Sequence, residues 1–416
     1  MTSFVSSSTS WSASGPAAAG RPRTCDPSAW GSPAGDPRTS PEDQHVTERE
    51  AALVVVLASG VGPASAERLR RRYGSYRTAV LTGSRDAAVP ARLRRALAAA
   101  KKLEPSRRLL ELSAEGIDFL ERGGEAYPSR LDETYGAPAG LFSEGAPPGE
   151  EPAVAIVGSR RASERSLAVA RSMGRGLAGR GITVVSGLAR GVDSAAHRGA
   201  LSAGGRTVAV LGSGLRRVYP PEHAGLAAEI RRTGCLLSEF APRVDPRRSF
   251  FPRRNRVIAG LSVGVIVVEA SEKSGALITA AFALDEGREV FACPGPAGRA
   301  ACRGSNRLLR DGARLVEDAE DVLEDLEPVW GPLLAPGGAG EPAPAPEVSA
   351  CAEAALGALS LDPRSADEVA RETGAAIETT LSALMELELA GAARRVPGGR
   401  YVVSDAEAVR RGLVRQ

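Results

Sequence analysis

At 416 residues the chain has room for about three domains, and its 53 Lys and Arg against 50 Asp and Glu leave a net charge of only +3. A protein so nearly neutral is not a general polyanion binder, so any affinity for nucleic acid must come from local patches. An odd number of cysteines (five) without paired C-x-x-C spacing, beside three scattered histidines, argues against a zinc site, any other metal centre and a disulfide framework.

Residues 1–46 are rich in Ser, Ala, Gly and Pro and poor in large apolar side chains. Such a segment cannot bury enough surface to offset the entropy of ordering, and disorder is expected. It lacks the early positive cluster and apolar core of a secretory signal. No apolar run approaches the ~18 residues of a membrane span. A cytoplasmic location and no membrane contact are the resulting expectations.

Residues 47–145 read as a helical domain. The run 53–57 is followed by Ser59-Gly60-Val61-Gly62-Pro63 and then by an Arg-rich helix over 64–72. Two readings fit. One is a helix-hairpin-helix unit, whose amides at the second helix's start hold a backbone phosphate. The other is a plain helical domain with a glycine turn.

Over 146–327 the pattern changes. Short apolar runs at 154–157, 182–185, 208–211, 263–268 and 289–292 alternate with helical stretches at 163–180, 192–203, 222–232 and 275–286. Runs with no polar alternation are buried on both faces, which requires a parallel sheet with helices on each side. The fold class is therefore α/β, a doubly wound Rossmann-like sheet. Residues 328–347 are Pro-, Ala- and Gly-rich and read as a linker. Residues 348–405 read as a winged helix, with a wing over 391–403, and 406–416 as a tail. Glu378, Glu386 and Glu388 on its second long helix favour protein contact over reading a DNA groove.

Ligands of a doubly wound sheet bind beyond the carboxyl ends of its strands. Those ends carry small-residue turns: Gly158-Ser159-Arg160, Ser186-Gly187, Gly212-Ser213-Gly214 and Ser274-Gly275. Such turns let backbone amides approach an anion, and Arg160 adds the charge that amides lack. The absence of G-x-G-x-x-G after the first strand argues against a dinucleotide, and no cofactor is expected. The acid–base candidates on this edge are Asp193, His197 and Glu269. Asp193 reads as a helix cap, while Glu269 could serve a nucleotide phosphoribohydrolase.

Between Arg243 and Arg256 lie six arginines and two adjacent phenylalanines against one acid, Asp245. Guanidinium forks suit phosphate, and a phenyl face suits an unpaired base, so Arg247, Arg248, Phe250, Phe251, Arg254 and Asn255 fit a single strand better than a duplex. Alternatively the rings belong to the core and the arginines form a solvated rim.

These segments resemble one family. Gly158-Ser159-Arg160 within its strand, Ser186-Gly187-Leu188-Ala189-Arg190-Gly191-Val192-Asp193, Gly212-Ser213-Gly214 with Tyr219-Pro220, Phe251-Pro252-Arg253-Arg254-Asn255-Arg256 and Ser274-Gly275-Ala276-Leu277-Ile278-Thr279 are similar, in order, to the DNA-processing protein A (DprA/Smf) family. The resemblance implies a non-enzymatic, homodimeric protein that binds single-stranded DNA and loads the RecA recombinase in natural transformation. It also implies that Gly158-Ser159-Arg160 holds phosphate, while Arg247, Arg248, Phe250 and Phe251 hold phosphate and stack a base.

Overall fold

The computed structural model describes residues 46–330, 348–396, 398–404, 407, 408, 411 and 413. Nearly all of the segment expected to be disordered, most of the linker and most of the tail lie outside the described residues.

The chain enters through α1 (Glu48–Leu57), α2 (Pro63–Tyr73), α3 (Tyr76–Gly83), α4 (Ala91–Lys101) and α5 (Pro105–Ala114). A reciprocal capping box starts α1: Thr47 Oγ1 accepts from the Glu50 amide, and the Glu50 carboxylate accepts from the Thr47 amide at 2.7 Å. The α1–α2 turn uses Gly60 at φ 83°. Its Val61-Gly62-Pro63 side shares a narrow crevice with Pro138, Gly140, Arg253 and Arg256. The hairpin thus faces the neighbouring sheet instead of standing free.

The sheet begins earlier than the boundary at 146 drawn from sequence. β1 (Asp118–Glu121), the single turn α6 (Ser129–Asp132) and β2 (Gly140–Gly145) precede it, and both strands join the sheet. The parallel part then follows: β3 (Ala153–Val157), α7 (Glu164–Gly179), β4 (Thr183–Ser186), α8 (Val192–Ser202), β5 (Thr207–Val210), α9 (Ala224–Thr233) and β6 (Cys235–Ser238). It continues with α10 (Phe250–Leu261), β7 (Gly264–Val267), α11 (Ala276–Asp285), β8 (Glu289–Ala292), α12 (Arg303–Arg310), β9 (Arg314–Leu315) and α13 (Ala319–Trp330). The last of these carries the helix three residues into the stretch read as linker.

The nine strands run β1-β2-β6-β5-β4-β3-β7-β8-β9. β1 pairs antiparallel with β2 and β2 with β6, and the remaining neighbours are parallel. Alternate residues of each strand supply two separate cores. Val154, Ile156, Val184 and Ile266 meet α7, α8 and α13, while Ala155, Val157, Val185 and Val210 meet α10 and α11. At the β1–β2–β6 end, Phe119, Phe142 and Leu236 join α9 and the N-terminal helices in a third. Arg122, at the end of β1, is buried between Glu67 of α2 and Asp132 of α6, which ties the helical layer to the sheet edge.

The C-terminal unit comprises α14 (Ala350–Ala358), β10 (Arg364–Ser365), α15 (Ala366–Thr373), α16 (Ile377–Leu389), β11 (Ala393–Val396) and β12 (Arg400–Val403). The strands form a three-stranded sheet in the order β10-β12-β11, the winged-helix arrangement. It rests on the start of α7: Ala168 enters its core, and Arg394 pairs with Glu164 at 2.5 Å. Among the described residues no helix is long and apolar enough to cross a membrane, and no group of His, Cys, Asp or Glu could hold a metal.

One buried group makes the fold sensitive to acid. His197 Nδ1 lies 2.7 Å from Thr207 Oγ1, and that hydroxyl donates to the Val184 carbonyl. The hydroxyl must therefore accept from the imidazole N–H, which leaves Nε2 bare, buried and, among the described residues, without a partner. Burial, with His223 and Arg254 nearby, holds the His197 pKa down to about 3 from an ordinary 6.5. The unfolded chain binds this proton at a higher pH than the folded one. Stability from this group is complete above pH 6.5 and is lost as pH falls toward 3, at a slope on the order of 1 kcal/mol per pH unit. His197→Gln, which cannot ionise, is expected to flatten the dependence of urea stability on pH across that window. Parallel curves for the two proteins would refute the assignment.

Candidate nucleic-acid interface

The reversal of strand order falls between β3 and β7, and the carboxylate at that point is turned inward. Glu269, which follows β7, is 1% exposed. Its Oε2 accepts from Ser163 Oγ and Ser166 Oγ, both at 3.0 Å, where α7 begins. The carboxylate is thus an anchor for the first turn of α7 and has no exposed position from which to act on a sugar phosphate.

Exposed charge lies one step aside, above the ends of β3, β4 and β5, at Arg160, Arg161 and Arg190. Gly158 fits against Val192, where an added Cβ would come within 2.6 Å of a methyl group. Gly191, at φ 80°, brings its Cα against the Ser159 carbonyl, and the Val192 amide donates to that carbonyl at 3.2 Å. The two turns interlock, and Ser159 and Arg160 are pushed to the rim. Ser159 Oγ accepts from the Arg161 amide at 3.1 Å, closing the turn. Arg160 is exposed, and among the described residues no carboxylate pairs with it.

Arg160 instead extends over Phe251, its guanidinium carbon 5.1 Å from the ring centroid. Tyr219 meets the same ring at 5.7 Å with planes tilted by 49°. Beneath it lies Gly212, where any Cβ would stand 2.7 Å from Phe251 Cδ1. A glycine floor, a half-buried ring, an exposed phenol and an unpaired guanidinium therefore meet in one place. That set can receive a base face beside a phosphate.

The neighbouring aromatic residue is used differently. Phe250 stacks on the buried Phe240 at 4.1 Å, and Arg247 covers it at 5.6 Å. Arg248 is exposed beside Arg247, with no ion pair among the described residues. Arg247 and Arg248 lie in the turn that leads into α10, and Phe250 onward belongs to the helix itself. Helical spacing sends its arginines in different directions. Arg253 and Arg256 both pair with Glu239, at 2.9 and 2.5 Å, and their charge is spent there.

Arg254 points the other way and is 4% exposed. Its Nη1 donates to the Gly187 carbonyl at 2.7 Å and to the Val210 carbonyl, and its Nε to Asn255 Oδ1 at 3.2 Å. Asn255, also buried, donates onward from Nδ2 to the Gly275 carbonyl at 3.2 Å. These two residues brace the turns from below. Burial lowers the Arg254 pKa to about 10, opposed by the charge of Asp193. Burial likewise raises that of Asp193, opposed by Arg254 and by bonds from the Ala189 and Gly187 amides. Ser186 is fully buried, donating to the Ile156 carbonyl at 2.6 Å, and Gly187 is closed over by Arg254. At the Ser274-Gly275 turn, Ser274 Oγ accepts from the Ala276 amide at 3.3 Å, and Gly275 is exposed.

Residues 118–327 match the family "DNA recombination-mediator protein A", and residues 339–399 match "DprA winged helix domain". The chain is 42% identical to Protein Smf of Escherichia coli (strain K12) over 325 residues, covering 75% of this chain and 83% of that one. The chain belongs to the DprA/Smf family. It is also 44% identical to DNA processing protein DprA of Streptococcus pneumoniae over 193 residues, 46% of this chain and 68% of the relative. The X-ray structure of DprA from that organism superposes with a TM-score of 0.58 at 32% identity, over 67% of this chain and 98% of that one. As a DprA/Smf member the chain is a DNA-processing protein with a mostly parallel central sheet and a C-terminal winged helix.

Two participants escaped the sequence reading. Tyr219 stood in a recognised segment without a role, because nothing local to it says which strand end it faces. Glu239 closes β6, a strand that the apolar pattern did not reveal. The i, i+3 spacing of Arg253 and Arg256 was the available signal for a shared carboxylate.

Proposed function

We propose that the chain binds single-stranded DNA across the ends of β3, β4 and β5, as a homodimer and without catalysing a reaction. In this reading it loads the RecA recombinase onto that strand in natural transformation and homologous recombination. The observation that carries it is Arg160 unpaired above Phe251, with Tyr219 beside them and Gly212 beneath. Gly158, Ser159, Arg247, Arg248 and Gly275 also contact the strand in this reading. In this reading Ser186, Gly187, Arg254, Asn255 and Ser274 hold the turns in shape.

A labelled oligo-dT and its duplex with oligo-dA, titrated at two salt concentrations, test the binding. The single strand is expected to bind more tightly at both. Its affinity should fall with salt by a logarithmic slope of about 0.7 per phosphate contacted. Equal or tighter binding of the duplex would sink the proposal. For recombinase loading, adding the protein should shorten the lag of RecA ATP hydrolysis on DNA already coated with a single-strand binding protein. An unchanged lag removes that part of the reading.

A further inference from the structure

The third and longest helix of the winged helix, α16, is amphipathic twice over. One face of α16 (Thr380, Ala383, Leu384 and Leu387) is buried in the core of its own domain. A second apolar row runs along the outside at strict i, i+4 spacing: Ile377, Leu381, Met385 and Leu389, exposed by 39, 45, 63 and 85%. Residues four apart lie one above another on a helix, so these four make a continuous stripe about 18 Å long. Leu381, Ser382, Met385, Glu386 and Leu389 line an open hollow of about 360 Å³ along it. Scattered surface leucines need no explanation, but a contiguous apolar row rimmed by polar groups marks an interaction site.

The charges around the stripe select its occupant. α16 holds Glu378, Glu386 and Glu388 and no Lys or Arg. Glu386 is fixed beside the hollow, accepting from the Ser349 amide and from Ser349 Oγ, both at 2.6 Å. A helix with this charge repels phosphate, which removes the groove-reading role that the corresponding helix has in many winged helices. A second copy of the same stripe would set like charges against each other. The complement is an apolar ridge bordered by cations.

We propose that the outer face of α16 docks an amphipathic basic helix of a partner protein, with apolar residues at three- and four-residue spacing flanked by Lys or Arg. The mode is helix in groove, and Met385 supplies a side chain that adapts to an irregular ridge. This site is independent of the proposed DNA interface.

The test uses the full chain and two labelled peptides of about five turns, each with leucines along one face. In one the flanks are lysine, and in its twin they are glutamate. Fluorescence anisotropy is expected to show the lysine peptide binding at least about tenfold more tightly than its twin. The double substitution Met385→Gln, Leu389→Gln should abolish that binding while leaving oligo-dT affinity and the unfolding midpoint unchanged. Reversing Glu378 and Glu388 to lysine should transfer the preference to the glutamate peptide. Absence of binding, equal binding of both peptides or indifference to the substitutions would overturn the proposal. So would self-association abolished by Met385→Glu, which would give the stripe to a second copy.

Discussion

Alanine in place of Arg160 is expected to weaken single-strand binding to any sequence by roughly ten- to a hundredfold. A charge-assisted bond to phosphate contributes about 1.5–3 kcal/mol, and Arg160 has no carboxylate among the described residues to return to when DNA is absent. The logarithmic salt slope should fall by about 0.7, one phosphate's share. Phe251→Leu keeps most of the volume above Gly212 and removes the π face, so it should cost the ~1–3 kcal/mol of a stacked base with the salt slope intact. Because guanidinium and ring lie 5.1 Å apart, the two substitutions should not add. A coupling of about 0.5–1 kcal/mol is expected from their cation–π contact. Equilibrium titrations of both single variants and the double variant measure all three quantities. Unchanged affinity in Arg160→Ala would show the strand running elsewhere.

The parts of this molecule that could be read from its sequence are those whose residues report their own burial. β3, β4, β5, β7 and β8 are parallel strands covered on both faces, so each appears as an uninterrupted apolar run. β6 offers only Cys235-Leu236-Leu237 before Ser238, too short a run to stand out after the end of α9. β1 and β2 pair antiparallel at the edge and follow five helices, so they were absorbed into the helical domain. The turns at 158–160 and 187–192 were legible because small residues at strand ends have few other uses. The partition of the arginines was not. Read as a loop, 250–256 offers every guanidinium to solvent. Read with the 3.6-residue period of α10, the same letters send Arg253 and Arg256 to Glu239 and turn Arg254 inward beneath Gly187. Neither acceptor is near in sequence, and only the tertiary fold brings them together.

Loss of that inward arginine is expected to be the most damaging single change to the stability of the sheet's working edge. Arg254→Met has similar length and no charge. It leaves the Gly187 and Val210 carbonyls without their donor, Asn255 Oδ1 without the Nε–H, and Asp193 buried without its nearby cation. Breaking a buried ionic arrangement from one side costs about 3–5 kcal/mol, readable as a lower urea midpoint with unchanged m-value. Asp193→Asn separates the electrostatic part from the lost hydrogen bonds. In the native background it removes a favourable partner of Arg254 and should destabilise. In the Arg254→Met background it removes an uncompensated buried charge, and its cost should shrink or change sign. Gly187→Ala supplies an independent check, since its Cβ would stand 2.5 Å from Arg254 Nη2 and must displace the guanidinium from the turn. Additive effects of the Arg254 and Asp193 substitutions would mean that the two charges do not sense each other, and that the turn at 187–193 is held by backbone bonds alone.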